Sequence, residues 1–116
     1  MVGAKVLIVH GGGKDITRAL DVNQIKTEFI SGYRVTDNKS IEIVERVLSG
    51  GVNKRIVKGL ADEKLKSCGI SGKDANLIVA SKKEIPDGDI GFVGEVKRVD
   101  NTILNLMLEV AHSGAE

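Results

Sequence analysis

The chain has 116 residues, 41% of them hydrophobic, with 17 Lys and Arg against 16 Asp and Glu and a net charge of +1. These totals predict one soluble globular domain. The balanced charge, with one Tyr, two Phe and no Trp, provides neither a basic field nor aromatic stacking platforms, so we expect no nucleic-acid partner.

Cysteine usage and hydropathy predict a compartment. The single Cys68 cannot form an internal disulfide or a cysteine-based zinc site, and we expect it to be a buried structural thiol. No apolar run approaches the roughly 20 residues of a membrane span, and the start of the chain lacks a signal-peptide pattern. We therefore expect a cytoplasmic protein with no membrane association.

An aliphatic run at residues 6–9 is followed closely by three consecutive glycines, Gly11, Gly12 and Gly13. Its β-branched density predicts a strand covered on both faces, and residues 14–20 predict a short helix directly after the glycines. Free N–H groups at the start of that helix and a permissive glycine backbone favour a site for carboxylate or phosphate. A tight strand-to-helix turn without a ligand is the alternative.

Two nucleotide-binding motifs that contain glycine-rich loops can be tested by spacing. A P-loop needs glycine five residues before the Gly-Lys pair and Ser or Thr after it, but these positions hold Ile8 and Asp15. A dinucleotide fingerprint needs glycine at the position of Ile16. The loop is therefore predicted to bind an anion by another scheme.

The clearest helical period lies at residues 38–60, where apolar residues recur every three or four positions. Before it, an extended stretch is expected to bury Val35 while Thr36 faces the other way, and Asp37 is placed to cap the helix. Gly50-Gly51 interrupts the period, so two helices or one long helix would fit. We favour one helix, with the glycines allowing a neighbouring element to approach closely.

The second half of the chain predicts short strands. Residues 64–70 contain a strand candidate around Cys68, and a polar turn at residues 71–74 leads to a second aliphatic run at 77–80. The simplest interpretation pairs these two strands across a tight loop. Residues 89–99 alternate in polarity and predict another strand or hairpin arm.

The last element is predicted to be a helix that Asp100 caps and that continues to about His112. Its apolar stripe, interpreted as core or interface, consists of Ile103, Leu104, Met107, Leu108 and Ala111. The order of elements favours an α/β sandwich. Such a helix normally crosses over to a further parallel strand, so we expect the chain to be part of a longer fold.

Several short blocks, in the same order along nearly the whole chain, closely resemble the acetylglutamate-kinase branch of the amino-acid-kinase family. They are Val9-His10-Gly11-Gly12-Gly13, Tyr33-Arg34-Val35-Thr36-Asp37, Val44-Glu45 with Val47-Leu48, Val52-Asn53-Lys54, Gly69-Ile70-Ser71-Gly72-Lys73-Asp74 and Gly91-Phe92-Val93-Gly94-Glu95-Val96. The Arg-Val-Thr-Asp block and the Gly-Phe-Val-Gly-Glu-Val block point to that branch, while the triple glycine is shared with kinases of other acids.

The resemblance implies a fold and a reaction. The fold would be a three-layer α/β/α sandwich around a mainly parallel sheet, apparently truncated, with residues 1–116 forming one partial domain, the substrate-binding half. The reaction would be transfer of a phosphoryl group from ATP, with Mg²⁺, to the side-chain carboxylate of N-acetylglutamate, in arginine biosynthesis. The family also implies a homo-oligomer assembled through this half.

The resemblance further implies roles for individual residues. The glycine loop would hold the substrate through Gly12 and Gly13, and Arg34 would pair with its α-carboxylate, a match that bidentate guanidinium chemistry makes sensible. Gly11 and Lys73 are further candidates for substrate contact. No catalytic residue and no metal ligand is predicted in this chain.

The chain departs from the family pattern in two places. The lysine that precedes two glycines on an earlier strand of the family, and the family's second half with its nucleotide pocket, have no counterpart in this sequence. We therefore expect the isolated chain to be inactive. Two alternatives stay open: a related carboxylate kinase that acts on carrier-bound aminoadipate in lysine synthesis, and a catalytically dead ligand-binding or assembly module.

Overall fold

The glycine run leads directly into the first helix. The computed structural model describes the backbone of residues 5–114 and the side chains of residues 5–110, and in it helix α1 spans Gly13–Val22. Ile16 and Leu20 are buried on one face of this helix, as their helical spacing predicts. The helix predicted at residues 14–20 is therefore confirmed, and it is slightly longer than expected.

A continuous helical run occupies the middle of the chain in three segments, α2 at Asn38–Glu45, a π-helical segment at Arg46–Val52 and α3 at Asn53–Asp62. The backbone at both junctions keeps right-handed helical angles, which confirms the prediction of one long helix. The Asp37 carboxylate accepts a hydrogen bond from the N–H of Ser40 at 2.8 Å, so the predicted cap is also confirmed.

The Gly50-Gly51 pair lies inside the π-helical segment. A Cβ atom at either glycine would meet no atom within 4 Å, so the close approach predicted here is not found in the described part of the chain. The close approach occurs at Gly12 instead, where a Cβ atom would lie 3.0 Å from Val52 Cγ2 and 3.1 Å from Leu48 Cδ2. Leu48 and Val52 are four residues apart, which places them on one side of the helix, facing the glycine loop.

The described core forms where α1 packs against the long helix. Ile16, Leu20 and Ile43 are buried together. Partly buried apolar side chains surround them: Ala19, Ile25, Val44, Val47 and Leu48. This packing fixes the start of α1, and with it the glycine loop, against the π-helical segment.

Strands β1 at Phe29–Ile30 and β2 at Tyr33–Arg34 form a hairpin in which Phe29 pairs with Arg34. Its two turn residues, Ser31 and Gly32, both have positive φ, at 51° and 83°, which is the turn geometry that suits tight hairpins. The Ser31 hydroxyl donates to the Asp87 carboxylate at 2.5 Å. The hairpin is thereby tied to the loop that precedes the last strand.

An isolated parallel bridge joins Thr36 to Gly91. The N–H of Thr36 donates to the carbonyl of Ile90 at 3.0 Å, and the N–H of Phe92 donates to the carbonyl of Thr36 at 2.7 Å. Gly91 has a φ of +70°, and a Cβ atom there would lie 2.1 Å from the Thr36 carbonyl oxygen. Only glycine fits this approach, which brings two of the sequence blocks into contact.

Strand β3 at Ile78–Lys82 pairs antiparallel with β4 at Gly94–Val99, with a register shift between Val79 and Ala80. Of the strand expected at residues 89–99, only the second part, Gly94–Val99, is formed. The expected pairing of residues 64–70 with 77–80 is wrong. A tight loop, closed by the N–H of Ile78 donating to the carbonyl of Gly72 at 2.9 Å, directs residues 78–82 against β4 instead.

Residues 64–70 form no strand in the structure. Lys64 has a φ of 62° and ends α3 in a left-handed conformation, with the N–H of Leu65 donating to the carbonyl of Leu60 at 2.9 Å. Cys68 lies in this irregular segment and is exposed, so the expectation of a buried thiol is wrong. Thr36 is also more buried than Val35, the reverse of the expected order, because the bridge to Gly91 covers Thr36.

Residues 6–9, predicted to be a strand covered on both faces, have no regular secondary structure, and their side chains are exposed. A buried parallel strand needs neighbouring strands, and none of the strands among residues 5–114 pairs with this segment. The α/β class is confirmed. Apart from the Thr36–Gly91 bridge, however, the strand ladders of the described residues are antiparallel, so the expected mainly parallel sheet is not formed by them.

Helix α4 spans Thr102–Gly114. The N–H of Thr102 donates to Asp100 Oδ1 at 3.1 Å, which confirms the predicted cap. The expected stripe is half-buried at Ile103, Leu104, Met107 and Leu108, while the side chains of Ala111 and His112 lie outside the described residues. No helix in the described part of the chain has the length and apolar character that crossing a membrane requires.

Candidate functional site

The glycine loop presents backbone donors at the start of α1. Gly12 is the N-cap residue, and no side chain supplies a capping hydrogen bond. The first helical bond runs from the N–H of Ile16 to the carbonyl of Gly12 at 2.9 Å. The N–H groups of the residues before Ile16 therefore have no intrahelical acceptor, and they carry the positive end of the helix dipole.

The guanidinium of Arg34 reaches this same helix start. Its Nη2 donates to the carbonyl of Gly13 at 3.4 Å and to the hydroxyl of Thr17 at 3.1 Å. Its Nη1 donates to the hydroxyl of Thr27 at 3.4 Å. The structure thus brings Arg34 and Gly13 together, as a shared site requires. These bonds use three of the five guanidinium N–H groups and leave two that take no part in them.

Phe29 covers the Arg34 guanidinium from one side, with the guanidinium carbon 4.9 Å from the ring centre. Thr17, Thr27 and Phe29 were not among the residues predicted from the sequence. In the sequence, the hydroxyl of Thr17 carries no local signal of its partner. Their role depends on the packing of the hairpin against α1, which no short motif encodes.

His10 directly precedes the three glycines and takes part in a chain of hydrogen bonds. Its Nδ1 is 3.0 Å from the carbonyl oxygen of Gly11, and its Nε2 is 3.1 Å from Asn53 Nδ2. Lys54 Nζ donates to Asn53 Oδ1 at 2.8 Å and to the carbonyl of Gly69 at 3.4 Å. Val52-Asn53-Lys54 is one of the blocks that resemble the family, and its sequence alone indicates no function for it.

The remaining two candidates for substrate contact, Lys73 and Gly11, have other partners in the chain. Lys73 Nζ forms an ion pair with Glu45 Oε1, at the end of α2, at 2.7 Å. In the same turn, the N–H of Ser71 donates to Asp74 Oδ2 at 2.7 Å. These contacts give Lys73 a structural partner and make its segment a closed polar turn. Gly11 is exposed and contributes its carbonyl to the His10 bond.

The charges near the glycine loop are mainly positive or compensated. Asp15, in the first turn of α1, is 3.4 Å from Arg55 Nη2 of α3, so its negative charge has a partner. Lys14 is exposed beside it, and the cation of Arg34 completes a setting that favours an anion.

Lowered carboxyl pKa values occur at the caps and the bridge. The backbone N–H of Ser40, followed by its side chain, holds the pKa of Asp37 below its ordinary value. The N–H of Gly91, with help from Lys82, lowers the pKa of Asp89, and the hydroxyl and N–H of Thr102 lower that of Asp100. These carboxylates stabilise backbone turns.

The donor set of the site suits a carboxylate. Backbone N–H groups and a guanidinium bind and orient an anion, and they neither ionise nor attack a substrate. Among the described residues no group of three or more His, Cys, Asp or Glu side chains could hold a metal ion, and the P-loop spacing is absent from the glycine loop. These residues therefore fit a substrate anion.

Residues 2–114 match the amino acid kinase family. Similar curated proteins are the acetylglutamate kinases of Campylobacter curvus, 50% identical over 109 residues, and of Campylobacter hominis, 52% identical over 108 residues. These matches cover 94% and 93% of this chain and 38% of each relative. The acetylglutamate kinase of Petrotoga mobilis is 49% identical over 107 residues, which are 91% of this chain and 36% of the relative.

Among solved structures, the crystal structure of smu.665 from Streptococcus mutans UA159 superimposes with a TM-score of 0.81 at 24% sequence identity. The match covers 92% of this chain and 43% of that chain, and it shows the fold alone. The chain therefore spans well under half the length of the proteins it matches. Since the family match extends over nearly all of its residues, this chain belongs to the amino acid kinase family.

Proposed function

We propose that this chain is the substrate-binding part of an acetylglutamate kinase, an enzyme that transfers a phosphoryl group from ATP to the side-chain carboxylate of N-acetylglutamate. The observation that carries the proposal is the bond from Arg34 Nη2 to the carbonyl of Gly13, which fixes a cation beside an uncapped helix start. The names of the curated relatives support the choice of substrate.

N-Acetylglutamate has two carboxylates, and the site offers two kinds of donor. The α-carboxylate pairs with the Arg34 cation, which keeps Nε–H and one Nη1–H beyond its bonds to Gly13, Thr17 and Thr27. The side-chain carboxylate lies against the N–H groups of Gly12 and Gly13, where the helix dipole stabilises its charge.

The contribution of these residues to the reaction is positioning. Arg34 is held from several directions and Gly12 is packed against the long helix, so a bound substrate would have little freedom to turn its attacking oxygen away. ATP, with magnesium, would supply the phosphoryl group and the charge compensation for its transfer. We assign that part of the reaction to other segments of a complete enzyme, as the resemblance to the family implies.

The proposal has consequences for the isolated chain. The chain covers 38% of the length of the Campylobacter relatives. We infer that the isolated chain binds the substrate weakly and transfers no phosphoryl group. Assembly with further copies through this half, a cytoplasmic location and a place in arginine biosynthesis belong to the same proposal and rest on the resemblance to the family.

A hybrid enzyme tests the proposal directly. In this hybrid, the present chain replaces the 109-residue segment of the Campylobacter curvus acetylglutamate kinase to which it aligns. We expect the hybrid to phosphorylate N-acetylglutamate in the presence of ATP and magnesium, and to prefer it over glutamate and aminoadipate. The unaltered relative is the positive control.

The hybrid can fail in two distinguishable ways. A folded hybrid that binds ATP but phosphorylates aminoadipate derivatives, or none of these acids, would contradict the proposal. If the hybrid does not fold, titration of N-acetylglutamate into the present chain, followed through the backbone amide resonances, decides instead. We expect shifts at Gly12 and Gly13 that glutarate at the same concentration does not reproduce, and their absence at saturating ligand would contradict the proposal.

A further inference from the structure

Lys54, Asn53 and His10 form a hydrogen-bonded relay that ends on the glycine loop. It runs from Lys54 Nζ to Asn53 Oδ1 at 2.8 Å, from Asn53 Nδ2 to His10 Nε2 at 3.1 Å and from His10 Nδ1 to the carbonyl oxygen of Gly11 at 3.0 Å. Asn53 is buried and His10 is half-buried. The relay therefore runs from the exposed Lys54 through a buried amide to the glycine loop.

The chemistry of Lys54 gives the relay one direction. An ammonium group only donates, so the side of the Asn53 amide that faces Lys54 must be its oxygen. The amide nitrogen then faces His10 and, because it only donates, His10 Nε2 must accept. The ring is consequently neutral with its proton on Nδ1, and that proton is donated to the carbonyl of Gly11.

The surroundings of Asn53 keep this orientation in place. Asn53 begins α3, directly after the π-helical segment. A Cβ atom at Gly69 would lie 1.7 Å from Asn53 Oδ1, so glycine at position 69 makes room for the amide. Lys54 also donates to the carbonyl of Gly69 at 3.4 Å, which ties the segment after α3 to the same amide.

We propose that His10, Asn53 and Lys54 are positioning residues that aim the N–H of Gly12 at the substrate carboxylate. The peptide unit between Gly11 and Gly12 is planar and trans, so its carbonyl and its N–H point in opposite directions. Holding the carbonyl of Gly11 against His10 therefore points the N–H of Gly12 to the side opposite His10. The assignment of that N–H to a substrate carboxylate rests on the proposed function, whereas the state of His10 does not.

Nuclear magnetic resonance of the present chain tests the relay without any activity. We expect the His10 ring to carry its proton on Nδ1, with Nε2 unprotonated. Asn53→Asp preserves the shape of the side chain but leaves only acceptors, so it should place a proton on His10 Nε2. A ring protonated on Nε2 in the unsubstituted chain would overturn the proposal.

Two lysines of α3 provide a matched comparison for the same measurement. Lys54→Met removes the group that orients the amide and should shift the amide resonance of Gly12, while Lys58→Met removes a lysine one turn further on, whose partner is Asp62, and should leave Gly12 unchanged. Equal responses of Gly12 to both substitutions would show a general effect of charge and overturn the relay.

Kinetics of the hybrid enzyme then test the link to the substrate. His10→Phe removes the Nδ1–H donor and should raise the KM for N-acetylglutamate about 3- to 10-fold, the range expected for one misdirected hydrogen bond, with the KM for ATP within about twofold of the parent. A folded His10→Phe hybrid with an unchanged KM for N-acetylglutamate would contradict the positioning role. An unsubstituted hybrid that folds but lacks this activity would instead refute the proposed function, leaving the His10 result standing.

Discussion

The guanidinium carbon of Arg34 lies 4.9 Å from the centre of the Phe29 ring, and the two residues pair across the β1–β2 hairpin. The ring covers one face of the guanidinium while Thr17 and Thr27 accept its hydrogen bonds from the edge. An arginine held in this way has lost most of its conformational freedom before a ligand arrives. The hairpin therefore prepares Arg34 for binding.

Phe29→Leu should weaken substrate binding without unfolding the protein. A cation–π contact at an exposed site contributes about 0.5–1 kcal/mol, so we expect the KM of the hybrid enzyme for N-acetylglutamate to rise about two- to fivefold. Phe92→Leu is the matched control, because Phe92 is 57% exposed and Phe29 is 56% exposed. Equal effects of the two substitutions would show that loss of an aromatic ring, and not the contact with Arg34, is responsible.

Arg34→Lys should be more damaging than its charge suggests. Lysine keeps the cation but cannot reach Gly13, Thr17 and Thr27 together or offer a planar pair of donors. Loss of a charge-assisted bond predicts a rise of about 10- to 100-fold in the KM for N-acetylglutamate, with ATP binding unchanged. Arg18→Lys, at an exposed position of α1, is the control, and a KM near the parent value in Arg34→Lys would contradict the site.

Local signals in the sequence predicted the helices well. α1, the long helix across Gly50-Gly51 and the caps at Asp37 and Asp100 depend on residues within one or two turns of each other, and such patterns are readable in a short window. The π-helical segment was not predicted, and neither was the packing of two of its residues, Leu48 and Val52, against Gly12.

Contacts between distant segments could not be predicted in the same way. An aliphatic run such as residues 6–9 indicates a buried strand only if another segment supplies the neighbouring strand, and the strands of the described residues do not. The exposure of Cys68 and the pairing of β3 with β4 likewise depend on where the chain goes after α3. Within the site, Arg34 was identified by resemblance, while its neighbours Thr17 and Phe29 emerged only from the fold.

Adjacent glycines of the loop should differ in their tolerance of a methyl group. Gly12→Ala would bring a Cβ atom to 3.0 Å from Val52 Cγ2, whereas a Cβ atom at Gly11 meets nothing within 4 Å. We expect Gly12→Ala to lower the free energy of unfolding by about 1–3 kcal/mol and Gly11→Ala to change it by less than about 0.5 kcal/mol. Urea denaturation of the present chain measures both.

A double-mutant cycle identifies the cause of the Gly12 effect. If the added methyl group clashes with Val52, combining Gly12→Ala with Val52→Ala should destabilise the chain by less than the sum of the single changes. Strict additivity would assign the loss to the loop backbone instead. In the hybrid enzyme, Gly12→Ala should raise the KM for N-acetylglutamate and leave that for ATP nearly unchanged.

Gly91→Ala should break the bridge that joins the two sequence blocks containing Thr36 and Gly91. The φ of +70° and the 2.1 Å approach to the Thr36 carbonyl oxygen predict a combined cost of about 2–5 kcal/mol from backbone strain and overpacking. Gly59→Ala is the control, since Gly59 lies in α3 with no atom within 4 Å of a Cβ position, and it should stabilise the chain by up to about 1 kcal/mol. Comparable thermal unfolding midpoints for the two variants would contradict the geometry of the bridge.

The cap of the long helix should make stability depend on pH in the acidic range. Hydrogen bonds from the N–H and side chain of Ser40 lower the pKa of Asp37, so the unfolded chain takes up a proton at this carboxylate at higher pH than the folded chain does. The resulting stabilisation is fully present above the unfolded value of about 3.9 and is lost as the pH falls through the lower folded pKa.

Two substitutions at Asp37 separate the titration from the cap. Asn still accepts a hydrogen bond from the N–H of Ser40 but does not titrate, so Asp37→Asn should unfold with a weaker dependence on pH below about pH 5 and keep most of its helicity at pH 7. Asp37→Ala should show the same weaker dependence and, in addition, lower stability at pH 7, because it loses the cap. Circular dichroism during urea unfolding at several pH values makes the comparison, and a slope in Asp37→Asn equal to that of the parent would show that another carboxylate controls acid unfolding.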